Sequence, residues 1–196
     1  YGILTSVESN PLAALLIPAI IKFFGFLSIK NPGFVFDEYP KFYEFLFNCI
    51  TSNDSSLLPV ALDTIGAVGL SNAGLAVLFQ RESHRNVVLS IGRCLQTADE
   101  QMKVHCLDCL ASVFASDDTS DKNTLELIHS LYQKLGARPL QLLFQELQQP
   151  FNSVRKSCFK LFHNLVSYQW MLADIRNIPG FFEYLLDRRT ENAKEC

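Results

Sequence analysis

Long hydrophobic runs are missing from this chain. The longest, Leu12 to Ile21, holds ten residues with Pro18 inside it, well short of the roughly 20 that a bilayer-spanning helix needs. No basic segment precedes it, so a secretory leader is not expected there. Strong net charge is missing too. The formal balance is −3, and no attraction to nucleic acid or to an anionic membrane is expected, since both favour basic patches. Tryptophan occurs once and methionine twice against sixteen phenylalanines, so the interior should be filled by rings and leucine. No useful period-two alternation occurs, which argues against a half-buried sheet. A chain opening on Tyr1 and not Met is expected to be a fragment of a longer chain or a processed product.

What is present is repetition. The 196 residues, nearly half of them hydrophobic, are enough for one domain or one continuous array. Four segments share a small residue, a large apolar one, and further large ones three and six positions on. They are Ala19-Ile20-Phe23-Phe26, Ala61-Leu62-Ile65-Val68, Cys106-Leu107-Leu110-Val113 and Cys158-Phe159-Phe162-Leu165, at offsets of 42, 45 and 52 residues. The first two offsets match the roughly 40–47 of armadillo and HEAT units, and the third implies an insertion. Spacing of three and four marks one buried helical stripe, with the small residue admitting a neighbouring helix. Shorter helices are expected between the stripes, in "GLSNAGLAVLFQ", "RNVVLSIGRCL" and "SYQWMLADIRNIPGFFEYLLDR". Gly69 should end one helix and Ser71 or Asn72 cap the next. Ser116 or Asp121 should cap a later one, and Pro179-Gly180 should interrupt the last.

The expected fold is all-α, a right-handed armadillo/HEAT-like solenoid. It should form a single array over residues 1–196 with about four repeats, near 11–52, 55–97, 100–149 and 152–189. In the armadillo pattern the long helix of each unit lines a concave groove.

"KVHCLDCLASVF" (Lys103 to Phe114) raises the question of chemistry, because His105, Cys106 and Cys109 crowd together. Structural zinc wants a second Cys/His pair at fixed spacing, and none exists. A thioredoxin-type pair belongs at a strand-to-helix junction, whereas this pair reads as mid-helix. Cys106 also holds the slot of Ala19, Ala61 and Cys158, a packing slot, so buried reduced thiols are expected. Five of the six cysteines lie within apolar helical patterns, which fits a cytoplasmic or nuclear protein better than a secreted disulfide framework. The glycines of "GAVGLSNAG" match no phosphate loop or nucleophile elbow. No nucleophile, base and oxyanion donor stand in recognisable order. No metal, cofactor or enzymatic activity is expected.

Binding is the remaining use of such an array. Counting two and six residues onward from each small position gives Asp63 and Ala67, Asp108 and Ser112, Lys160 and Asn164 as groove-facing. Lys103, Arg155 and Lys156 lie one turn back. That groove would be acidic in its middle and basic toward the C-terminal end, a gradient suited to orienting a partner. The plain alternative is a solvated helix face, and both readings stand. Asn164 alone cannot make the asparagine ladder of an importin-type receptor, so a folded domain is the expected partner.

Four stretches carry a resemblance: "LDTIGAVGLSNAGLAVL", "KVHCLDCLASVF", "RPLQLLFQELQQPF" and "NIPGFFEYLLDR". In order and spacing they resemble the C-terminal half of the family of 26S proteasome non-ATPase regulatory subunit 5. The resemblance implies a monomeric assembly chaperone. Such a protein binds the C-terminal domain of a proteasomal ATPase subunit while the base of the 19S regulatory particle is built. It is absent from the mature 26S proteasome. A general armadillo-type adaptor is the alternative. A metal- or thiol-dependent enzyme around His105, Cys106 and Cys109 is the rival from another class.

Overall fold

The structure, a computed structural model, describes residues 15–52, 56–115 and 121–187. Among the described residues every regular element is a helix. In chain order they are α1 (Ile17–Lys30), α2 (Pro32–Glu38), α3 (Pro40–Thr51), α4 (Leu58–Gly69), α5 (Asn72–Leu78), α6 (Glu82–Arg85) and α7 (Val87–Thr97). There follow α8 (Glu100–Val113), α9 (Lys122–Lys134), α10 (Pro139–Leu147), α11 (Asn152–Leu165), α12 (Gln169–Arg176) and α13 (Phe181–Leu186). Like packs on like. The long helices α1, α4, α8 and α11 form one row, α2, α5 and α9 a second, and α3, α7 and α10 a third. The result is an α-solenoid whose core runs between the rows.

Local chemistry explains the breaks. Proline stands in the first turn of α1, α2, α3, α4 and α10, where its missing N–H costs nothing and its fixed φ favours entry. The Ser71 hydroxyl accepts from the Gly74 backbone N–H at 3.1 Å, Asp99 from Met102 at 2.9 Å and Asp121 from Asn123 at 3.1 Å. The expected caps at Ser71 and Asp121 are therefore formed, while Ser116 lies outside the described residues. Gly180 takes φ 82° between α12 and α13, the left-handed conformation that glycine enters without a Cβ penalty.

Helix ends are also closed from neighbouring units. The Tyr168 hydroxyl donates to the Phe114 carbonyl at the end of α8, and Tyr184 to Leu147 at the end of α10, both at 2.7 Å. These satisfy carbonyls that the last helical turn leaves without intrahelical donors. His84 does the same for Leu78 through Nδ1 at 3.1 Å, its ring 4.4 Å from that of Phe47. Burial holds the His84 pKa below its ordinary 6.5, so the unfolded chain takes up a proton that the folded one resists. Stability from this site is complete above that value and is lost as pH falls toward the lower folded pKa. Urea midpoints should drop as pH falls below the ordinary histidine value of 6.5, with a shallower drop in His84→Gln.

Long-helix stripes two and three are buried as the repeat predicts: Ala61, Leu62, Ile65 and Val68, then Cys106, Leu107, Leu110 and Val113. Ala61 is wholly enclosed. Ala61→Phe should lower stability by about 1–3 kcal/mol, and an unchanged thermal melt would contradict this packing. In the fourth stripe Cys158, Phe162 and Leu165 are buried but Phe159 is 37% exposed.

The first stripe is corrected. Phe23 and Phe26 are each 59% exposed and Ala19 is exposed. The buried positions of α1 are Ile21, Gly25 and Ser28, with Phe24 packed beside them. An aromatic-rich helix offers two apolar stripes, and sequence periodicity chose the one with larger rings. Close approach decides otherwise: a Cβ on Gly25 would sit 2.6 Å from Thr64 Cγ2 of α4. Gly25, not Ala19, is the small residue that lets α1 meet α4.

Candidate functional site

The row of long helices leaves one polar face open, and its side chains pair from helix to helix. His105 of α8 donates from Nδ1 to the Asp63 carboxylate of α4 at 2.7 Å. Lys160 of α11 reaches Asp108 of α8 at 3.5 Å. Ser153 at the start of α11 donates to Glu100 at the start of α8. The Asn164 amide donates to the Ala111 carbonyl at 2.7 Å. Each bond joins residues 42 to 53 positions apart, one repeat length, so the face is a set of rungs between successive units. Pairs this exposed contribute little to stability, about 0–1 kcal/mol each. They do fix which charges stand side by side.

Of the expected groove residues, the structure brings Asp63, Asp108, Lys156 and Lys160 to solvent or part-exposure on these helices. Ser112 is half-buried and its hydroxyl donates to the Asp108 carbonyl of its own helix at 3.0 Å. Asn164 is committed to Ala111 and serves as a rung. Two residues stand elsewhere. Lys103 is buried but for 13% of its side chain and binds both oxygens of Glu146 from α10, at 2.8 and 3.0 Å. Arg155 is 5% exposed and donates to Asn152 at 3.3 Å. Both stand three residues before the small position of their helix and point into the packing, whereas Lys156, one residue further on, is exposed.

His105 is a candidate ligand by its place beside Cys106 and Cys109 in the sequence. It belongs to the open face through Asp63, and the sequence signal for it was the 42-residue offset between the two. Cys106 and Cys109 point inward, 0% and 2% exposed. Gly66 lets α4 come so close that a Cβ there would lie 3.1 Å from Cys109 Cα. Burial pushes the Cys109 thiol up to about 12 and raises Cys158, whose Sγ–H donates to the Leu143 carbonyl at 3.3 Å. Thiols held protonated in this way are poor nucleophiles and poor metal ligands. Among the described residues, no three His, Cys, Asp or Glu side chains converge as metal ligands would. No described helix is long and apolar enough to cross a membrane.

Cys94 is the exception among the described thiols. It is half-buried in the last turn of α7, and the influence of the Cys106 side chain lowers its pKa to about 7. Two hollows lie among the described residues. One of about 430 Å³ is bordered by His129, Tyr132, Arg138 and Asp174. Another of about 390 Å³ is walled by Leu147, Phe159, Phe162, Phe181 and Leu185.

The chain matches known proteins along its whole length. It is 31% identical over 196 residues to 26S proteasome non-ATPase regulatory subunit 5 of Bos taurus, covering 98% of this chain and 39% of the relative. The human protein of that name is 30% identical over 197 residues, with the same coverage. The Drosophila melanogaster one is 24% identical over 188, covering 94% of this chain and 37% of its own. The chain thus spans about two fifths of the length of these curated relatives. No solved structure matches it at a significant level. The family model for the proteasome non-ATPase 26S subunit matches residues 1–196 without a gap at either end, and the chain belongs to that family.

Proposed function

We propose that this chain is part of a non-enzymatic assembly chaperone. It binds a proteasomal ATPase subunit, through that subunit's C-terminal domain, while the base of the 19S regulatory particle is built, and it is absent from the finished 26S proteasome. Membership in the proteasome non-ATPase family over residues 1–196 is the observation that carries this reading. The solenoid supports it as well. Stacked helices supply a long rigid surface, and Cys106, Cys109 and Cys158 are buried with raised pKa values, which suits packing and not catalysis at those three positions. We read the repeats as armadillo/HEAT-type units near 11–52, 55–97, 100–149 and 152–189 and the chaperone as a monomer, and reduced, buried thiols fit a cytoplasmic or nuclear protein.

The open face is the proposed contact, with Asp63 and Asp108 toward α4 and α8 and Lys156 and Lys160 on α11. A change of charge sign along the face selects orientation and speeds encounter more than it adds affinity. The double variant Lys156→Glu/Lys160→Glu should weaken capture of the ATPase C-terminal domain about three- to tenfold, with the difference shrinking at high salt. Capture should be measured with the longer relatives' full chain as well as with this one. Unaltered capture by both would remove the basic end from the contact. Recovery of the chain in mature 26S particles would overturn the chaperone reading.

A further inference from the structure

We propose that the C-terminal end of the long row is a docking groove for an amphipathic helix of a partner protein, one with an apolar face flanked by carboxylates. The groove lies between α11 and α13. Its walls are Leu147, Phe159, Phe162, Val166, Phe181 and Leu185, around a hollow of about 390 Å³, a size that holds small ligands in other proteins. Phe159 is 37% exposed, Val166 38% and Leu185 44%, and Phe182 and Leu186 on α13 are exposed as well. An apolar patch of this kind, rimmed by polar groups, marks an interaction surface.

The repeat explains why this end suits a partner. Small residues admit the next long helix: Gly25 of α1 approaches Thr64 of α4, and Gly66 of α4 approaches Cys109 of α8. Ala111 holds the place of Gly66 one unit on. It is buried, and α11 meets it there through the Asn164 bond to its carbonyl. A further 52 residues along stands His163, which is exposed and borders the hollow. An imidazole in the slot of glycine and alanine holds the next backbone away, so α11 does not receive another long helix at the spacing of the row. An element that inserts side chains into the hollow fits instead.

Charge sets the chemistry of the partner. Lys156, Lys160 and His163 follow one another at spacings of four and three on α11, so they form one line along the helix, beside the apolar line of Phe159, Phe162 and Val166. Lys156 and His163 are exposed, and Lys160 keeps 58% of its side chain in solvent with Asp108 at 3.5 Å. Glu183, two positions from both Phe181 and Leu185, lies round the far side of α13. The rim is basic, and an apolar helix flanked by carboxylates complements it. From Phe159 to Val166 is about 10 Å along α11, two helical turns, so apolar residues at i, i+3 and i+7 of the partner match the groove. This goes beyond the chaperone reading. The groove shares Lys156 and Lys160 with the open face, but its apolar half is a separate surface.

The test uses the full chain and a fluorescein-labelled alanine-based helical peptide with leucine at i, i+3 and i+7 and glutamate at the flanking positions. Its counterpart carries lysine in place of every glutamate. Fluorescence anisotropy at low salt should show saturable binding of the glutamate peptide and about tenfold weaker binding of the lysine one. The difference should shrink as salt rises. Leu185→Glu should weaken the glutamate peptide about tenfold, whereas Leu172→Glu, at a similarly exposed leucine on α12 outside the hollow, should leave it unchanged. Both leucines are exposed, so both variants should fold, which circular dichroism checks. Overturning results are equal affinity for the two peptides, equal loss in the two variants, or no saturable binding, as when residues 188–196 or a second copy fill the hollow. Because the probe is a peptide and not the ATPase domain, such a failure is distinct from failure of the chaperone reading.

Discussion

Glu146→Gln should lower the unfolding free energy by about 3–5 kcal/mol, the usual cost of removing one member of a buried ion pair. Glu146 is 3% exposed, and its two oxygens are bound by Lys103 at 2.8 and 3.0 Å. Without the carboxylate the ammonium remains among apolar side chains with 13% of its side chain in solvent. Desolvation of that unpaired charge, more than the lost attraction, sets the size of the effect. Replacing both partners by apolar residues of similar volume, as in Lys103→Met/Glu146→Leu, should recover most of the loss. Urea unfolding of the two singles and the double measures it. Equal losses in double and single variants would reject the explanation. The pair ties α8 to α10, so it bridges the long row and an outer row.

Gly92→Ala should be nearly as damaging, with a loss of about 3 kcal/mol at the upper end of ordinary overpacking. The added Cβ would stand 1.9 Å from the Leu135 carbonyl oxygen and 3.0 Å from its carbon. These are backbone atoms at the end of α9, so no side-chain rotation relieves the clash and α7 must shift. Gly33→Ala provides the control. It lies in α2 with nothing within 4 Å of its would-be Cβ, and alanine there should be neutral or stabilise by up to about 1 kcal/mol. Calorimetric melts of the two variants separate close approach from helix propensity. If both lost equal stability, the α7–α9 contact would not be as close as described.

These two sites mark a boundary in what could be read. Gly92 stands in an apolar helical pattern that says "helix" and nothing about the carbonyl across the gap. Counting along one helix locates the turn that holds Lys103. Its partner lies 43 residues on, in a different row, and one-dimensional periodicity cannot tell a neighbouring row from solvent. The rungs of the open face were more legible. His105 and Asp63, Lys160 and Asp108, and Asn164 and Ala111 are separated by nearly one repeat, so stacking like helices on like brings them together. The face exists wherever those offsets hold.

The N-terminal helix shows the other failure. Phe23 and Phe26 carried the stronger hydrophobic signal, yet they are the exposed ones. Hydrophobicity ranks side chains by their cost in water, whereas the α1–α4 contact is ruled by how closely two backbones can approach, which favours Gly25.

By itself the sequence determined the helical class, the placement of the long helices and the break at Pro179-Gly180, and it narrowed two caps to Ser71 or Asn72 and to Ser116 or Asp121. All of these arise from interactions within a few residues along the chain, where spacing and residue type suffice. Tertiary structure alone decided which stripe of α1 is buried and that Lys103 faces Glu146 and not solvent. Those outcomes depend on the rotation and separation of whole helices, set by the combined packing of three rows, and no local pattern encodes them.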